Sequence, residues 1–235
     1  DEFAEFKFFV NYGGGEYKIK IFADSDYILY VNGKVAFFGQ YHGYKERSFY
    51  DTLKLTDFLK KGDNVVFIEV WHYGNSNFSH IDLGVGLSFE LCRDGETVLV
   101  SDERIFSRKS PVYKSGIKKE ITMQLGYTFF YDARNEDDVK TNFSLQGFSE
   151  STIVKNAIVF SERPNEKLTE RERLIAKPIK QEGSVYLFDL GKEVSGYLFF
   201  DLICEEETQL KICFGEHITG GFVRAVFDNG RDFSV

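Results

Sequence analysis

Apolar and polar residues alternate with a period of two through much of the chain. Tyr17, Ile19 and Ile21 interleave with Lys18 and Lys20, and Leu87, Phe89 and Leu91 with Ser88 and Glu90. That spacing predicts strands with one dry face and one wet face. Residues 5–10, 27–31, 35–38 and 97–100 read as further strands from their β-branched and aromatic content. Residues 65–71 run almost continuously apolar, the pattern of a strand buried on both faces or nearly so. Asn32-Gly33 and Asp94-Gly95 separate strand pairs, and both dipeptides tolerate the positive φ angles of a tight hairpin turn. Thr56 is placed to cap a helical turn over 57–61 that Gly62 ends in a left-handed conformation. Gly13, Gly14 and Gly15 form a loop; no GxGxxG or GK[ST] pattern follows that would make it a phosphate cradle. With almost no helical periodicity, the expected class is all-β, a sandwich or jelly roll rather than a βαβ fold.

Residues 161–183 break this pattern. They are charged, contain Pro164 and Pro178, and lack an apolar face. The expected organisation is a β-sandwich over 1–162, a linker over 163–183 and a second β-domain over 184–235. Strands are expected there at 185–190, 191–196, 197–202 and 209–215. About 50 residues bury too little surface for an independent core, so this second sandwich is expected to be partial.

Composition narrows the function. The 235 residues include 25 Phe and 13 Tyr, which fit half-buried pleated surfaces and are expected mostly in the core. A net charge of −8 argues against a nucleic-acid partner, because binding phosphates needs a basic patch. No apolar run approaches the ~20 residues of a membrane helix, so no membrane partner is expected. Cys92, Cys204 and Cys213 show no CxxC spacing, and buried thiols are expected rather than a disulfide framework, although Cys204 and Cys213 could face each other across a hairpin.

Several segments carry a resemblance to a known family. DSDYILYVNGK (24–34), SFYDTLKLTDFLKKGDNVV (48–66) and VWHYG (70–74) resemble, in order and spacing, the N-terminal jelly-roll domain of bacterial α-L-rhamnosidases of glycoside hydrolase family 78. The YDAR segment at 131–134 resembles the close of that domain, and the stretch around 147–149 and 155–157 is a partial match to its next block, with Asp and Trp replaced. VYLFDLGKEVSGYLFFDL (185–202), FGEH (214–217) and RDFSV (231–235) resemble the start of the family's concanavalin-like β-domain.

The resemblance implies a galactose-binding-like jelly roll followed by part of a second sandwich. Both would stand in front of a helical (α/α) barrel that carries the catalytic acid and base. Inverting glycosidases hold those carboxylates roughly 6.5–9.5 Å apart. No pair here is nominated by spacing, so no catalytic residue is assigned to this chain.

The expected role is a non-catalytic scaffold for the downstream catalytic domain, with carbohydrate such as rhamnose-containing glycans as a further partner. A free-standing binding or adhesion module, or a glycosidase for another sugar, shares these features. Some relatives hold rhamnose through calcium in loops at one end of the jelly roll, which makes Asn32, Asn75, Asn77 and Asp82 the candidate ligands. Tyr41, Tyr44, Trp71 and Tyr73 are candidate sugar platforms, with His42 and His72 as hydrogen-bonding partners. Asn32 is also explained by its turn and Trp71 by the core, and HYGNSNF departs from the family's GNGW-like loop. Ser79, His80 and Asp82 are the residue types of a nucleophilic triad without its Gly-x-Ser-x-Gly elbow, and Glu216-His217 reads as a surface pair.

Overall fold

The computed structural model describes residues 1–224 except 85, 123–125, 156, 168, 170, 202, 204, 207 and 209. The chain divides into two units, Asp1–Asn165 and Glu166–Val235.

The regular structure of unit 1 is almost all strand. They are β1 (Glu2–Tyr12), β2 (Tyr17–Ala23), β3 (Asp26–Val31), β4 (Lys34–Gly39), β5 (Arg47–Lys54), β6 (Gly62–His72), β7 (Leu87–Arg93), β8 (Glu96–Val100) and β9 (Phe106–Lys109). Shorter pieces follow: β10 (Glu120–Thr122), β11 (Gly126–Tyr127), β12 (Ser149–Glu150) and β13 (Val159–Glu162). One sheet runs β12-β9-β1-β6-β3-β4 and the other β13-β5-β2-β7-β8. Each turns one face inward. Phe8, Val10, Leu29, Val66 and Ile68 from the first sheet meet Ile19, Ile21, Leu53, Phe89 and Leu91 from the second in one buried cluster. The class is therefore the expected all-β sandwich.

The hairpin turns form as the sequence implies, with φ of 51° and 79° at Asn32 and Gly33, and 51° and 90° at Asp94 and Gly95. The helical turn does not. A 3-10 turn covers only Thr56–Phe58, and its N-cap is Leu55, without a side-chain cap. The Thr56 hydroxyl instead accepts from the Tyr17 amide at 2.8 Å, tying the turn to β2. Gly62 is left-handed as expected (φ 89°), but it opens β6 rather than ending a helix.

The outer face of the six-stranded sheet is covered by residues 110–115 and 126–148, and charges are buried beneath this strap. Glu5 accepts from Arg108 Nε at 2.6 Å and from the Ser110 hydroxyl at 2.8 Å. Lys7 donates to Ser144 O at 2.8 Å and to Asn142 Oδ1 at 3.1 Å. Glu69 is 4% exposed, its carboxylate has no hydrogen-bond partner among the described residues, and Lys140 Nζ stands 3.8 Å away. Burial pushes its carboxyl up from 4.5 to about 7, with Lys140 opposing and Glu5 assisting.

Unit 2 is described by two hairpins, β14 (Pro178–Glu182) with β15 (Val185–Phe188), and β16 (Ile218–Thr219) with β17 (Phe222–Val223). The strand expected at 185–190 is shortened, and one forms inside the expected linker. Pro178 sits at the first residue of β14, where a missing amide hydrogen is tolerated. The strands expected at 191–196, 197–202 and 209–215 are not formed among the described residues. A strand needs a paired neighbouring strand, and Leu198, Phe199 and Phe200 stand exposed outside any described sheet. Cys92 is a free, buried thiol and Cys213 a free, half-buried one, while Cys204 and the RDFSV segment lie outside the described residues.

Glu69 yields a pH signature. Because its folded-state value is raised, the fold keeps its full stability below pH 4.5 and loses it as the pH rises through about 7, by at most about 3 kcal/mol. Glu69→Gln should remove most of that loss. Urea unfolding at acid and alkaline pH measures it, and an unchanged pH slope in the variant would rule out this source.

Candidate functional site

The strand ends at one edge of unit 1 gather three of the chain's four histidines. Asp24 and Ser25 connect β2 to β3, and both are buried. Their backbone is stitched to the neighbouring segments: Asp24 N donates to Gly86 O and Ser25 N to Trp71 O, each at 2.9 Å. The Tyr73 amide donates to the Ser25 hydroxyl at 3.1 Å, and the Leu83 amide to Asp24 Oδ2 at 3.1 Å. Residues 73–84 thus fold over a buried carboxylate.

His80 Nε2 lies 2.9 Å from Asp24 Oδ1 and 2.9 Å from Ser25 Oγ. Facing a carboxylate, that nitrogen donates, and the other, Nδ1, lies 3.3 Å from His42 Nδ1. Burial holds the His42 imidazole below its ordinary value, with Asp26 opposing and His80 assisting. His72 lies between two carboxylates, with Nδ1 3.8 Å from Asp24 Oδ2 and Nε2 4.0 Å from Asp82 Oδ1. The Tyr73 hydroxyl donates to Asp26, and burial, then the Asp26 charge, pushes its pKa upward.

Beside this cluster lies an open groove of about 550 Å³, whose wall includes Lys45, Glu46, Asp82, Leu83, Ile158 and Val159.

The expected platforms separate. Trp71 and Tyr73 belong to an aromatic group: Trp71 stacks on Phe3 at 4.9 Å and meets Tyr73 edge-on at 4.8 Å. Trp71 is half-buried rather than core, and its Nε1 is buried without a hydrogen-bond partner among the described residues. Tyr41 packs its ring edge-on against Phe49, and its hydroxyl accepts from the Asn165 amide. Tyr44 is 67% exposed, on the loop joining β4 to β5.

Of the four expected calcium ligands, the fold brings only Asp82 to the carboxylate cluster. Asn32 stands at the opposite end of β3, bonded to Asn64 and to the Val65 amide. The Asn75 side chain binds the Tyr127 hydroxyl and Lys118, and Asn77 Oδ1 accepts from the amide and hydroxyl of Ser79. Calcium takes six to eight oxygens, whereas the assembled set here is two carboxylates and an imidazole nitrogen.

The triad types do not assemble as a triad. His80 faces Ser25 rather than Ser79, and serine and acid share one ring nitrogen instead of taking opposite ones. Ser25 is also fully buried, beyond reach of a substrate. Asp24 and Ser25 were missed as site residues by sequence reasoning; the available signal was their place in the resembling DSDYILYVNGK segment, next to a strand start.

The fold is a two-sheet β-sandwich. No protein-family model and no curated protein matches the sequence. Among solved structures the chain is similar to the family 78 rhamnosidase of Bacillus sp. GL1, at 22% identity and a TM-score of 0.60 over 69% of this chain and 18% of that one. It is also similar to the α-L-rhamnosidase of Dictyoglumus thermophilum, at 17% identity and a TM-score of 0.56 over 81% of this chain and 22% of that one. The Streptomyces avermitilis α-L-rhamnosidase complexed with L-rhamnose gives 17% and 0.55, over 81% of this chain and 20% of that one. The chain spans about a fifth of the length of these enzymes, and the shared feature at this identity is the fold. The likeness to family 78 α-L-rhamnosidases seen in the sequence is thus present in three dimensions.

His80→Ala should destabilise unit 1 by about 3 kcal/mol, because Asp24 would stay buried with one partner fewer. Tyr44→Ala should change stability by less than about 0.5 kcal/mol. Urea unfolding compares the two, and equal effects would show that the Asp24–His80 contact adds nothing.

Proposed function

We propose that this chain is a non-catalytic β-region of an α-L-rhamnosidase-like glycoside hydrolase. In this reading unit 1 is a galactose-binding-like jelly roll that supports an (α/α) catalytic barrel elsewhere in the polypeptide. The observation that carries it is the fold shared with three rhamnosidases over 69–81% of the chain. Glycoside hydrolysis needs a carboxylate pair flanking the scissile bond. The buried Asp24, enclosed by His80, Ser25 and Leu83, is unsuited to that work.

The groove suits a weak saccharide contact. Lys45, Glu46 and Asp82 offer partners for hydroxyls, and Leu83, Ile158 and Val159 an apolar surface for a ring face. A single open site of this kind binds at about millimolar strength, near −4 kcal/mol. It would act by raising the local concentration of substrate for a tethered barrel.

Two measurements test the reading. L-rhamnose titrated against the chain should perturb NMR signals of residues 45–46 and 82–83, and Asp82→Ala should weaken the response several-fold; D-galactose in parallel reports sugar preference. Joining the chain to a downstream barrel should give cleavage of an aryl α-L-rhamnoside. Absence of cleavage across a panel of aryl glycosides would sink the enzymatic assignment, and silence in the titration would leave the scaffold role alone.

A further inference from the structure

We infer that Asp24, His72 and Asp82 form a site for a divalent transition cation, with Zn²⁺ the best chemical match. One ligand atom from each lies within 4.8 Å of the other two. The donors come from three separate segments: the β2–β3 connection, the end of β6 and the 73–84 loop. An ion held by all three would clamp the strand ends together.

Three features distinguish this arrangement from a chance meeting of charges. Asp24 is already oriented, with Oδ1 2.9 Å from His80 Nε2 and Oδ2 accepting from the Leu83 amide at 3.1 Å. That is the outer-shell support that fixes a metal-binding carboxylate. His72 Nδ1 is buried and has no hydrogen-bond partner among the described residues, although it points within 3.8 Å of that carboxylate. A buried imidazole nitrogen without a partner is a ligand position waiting to be used. Asp82 also lines the groove, so a fourth position would open toward solvent or a small molecule.

The donor types select the ion. An imidazole with two carboxylates suits Zn²⁺ and its neighbours, while Ca²⁺ and Mg²⁺ favour oxygen-only sets. Ligand atoms around tetrahedral zinc are roughly 3.3 Å apart, given bonds of about 2.0–2.2 Å. The Asp24–His72 distance of 3.8 Å is already near that value. Asp82 Oδ1 is 4.0 Å from Nε2, the ring nitrogen turned away from Asp24, and one ion takes only one ring nitrogen. With the three ligand atoms spread over up to 4.8 Å, the Asp82 loop must close by about 1.5 Å for it to join.

The test is Zn²⁺ binding by the full chain, followed by calorimetry and thermal unfolding. Zn²⁺ should raise the unfolding temperature, EDTA should reverse the rise, and Ca²⁺ should not reproduce it. His72→Ala and Asp82→Asn should each weaken Zn²⁺ binding at least about 10-fold. His217→Ala, which removes the histidine of unit 2, should leave it unchanged. Asp82→Asn keeps the test decisive should His72→Ala fold poorly. Co²⁺ substitution should give a spectrum without a thiolate charge-transfer band, separating this site from Cys92 and Cys213. The inference is overturned by no binding at about 1 mM Zn²⁺, by binding that survives both substitutions, or by a cobalt spectrum carrying the thiolate band. None of these outcomes depends on whether the groove takes a saccharide.

Discussion

Burial of β6 on both faces is the constraint on which the rest of unit 1 depends. Its inward side chains Val66, Ile68 and Val70 enter the shared core. Its outward side chains Phe67 and Glu69 lie under the strap. Its two edges are occupied by β1 and β3, in register along most of its length. A strand with no free face and no free edge cannot shift without breaking both ladders and the core at once. Where such a strand ends, its last residues are delivered to a fixed place. Trp71, His72 and Tyr73 are held at the candidate site for that reason.

The chemistry of the site follows from what that end of the sandwich encloses. Asp24 is withdrawn from water and therefore needs partners, and it recruits Ser25, His80 and the Leu83 amide. His42 joins through His80, from a loop more than thirty residues away in sequence. The cluster resembles a catalytic constellation in composition but differs from one in connectivity, since a single imidazole nitrogen serves both acid and hydroxyl. Of the three described donors Asp24, His72 and Asp82, Asp82 is the one that lines the groove.

The parts of the fold legible in the sequence are those set by local rules. Alternation along β2 and β7, the long apolar run of β6 and the two hairpin turns all depend on neighbours close in sequence. Thr56 was misread because its hydroxyl answers to Tyr17, a distant strand, and not to its own turn. Glu5, Lys7 and Glu69 could not be read as buried, since the strap over them supplies Ser110, Lys140, Asn142 and Ser144 from far along the chain. The site divides the same way. His42, His72, Tyr73 and Asp82 were nominated by residue type on loops, and the fold gathers them. Asn32, Asn75 and Asn77 fit the same rule, yet their side-chain amides are spent on the Val65 amide, the Tyr127 hydroxyl and Ser79. The strands expected over 191–215 depend on pairing partners that local sequence does not specify.

The strap has one more effect. It turns the six-stranded sheet into the middle layer of three, while the outer face of the five-stranded sheet carries Lys18, Lys20, Lys54 and Glu90, with Lys20 and Glu90 paired at 2.8 Å and Phe22 packed on Phe160 beside them. The two broad sides of the sandwich therefore differ in kind. One is roofed by its own chain; the other is a hydrated mosaic of opposite charges, poorly suited to dry adhesion. A neighbouring body meeting unit 1 would find its most distinctive chemistry at the narrow end, where the histidines are.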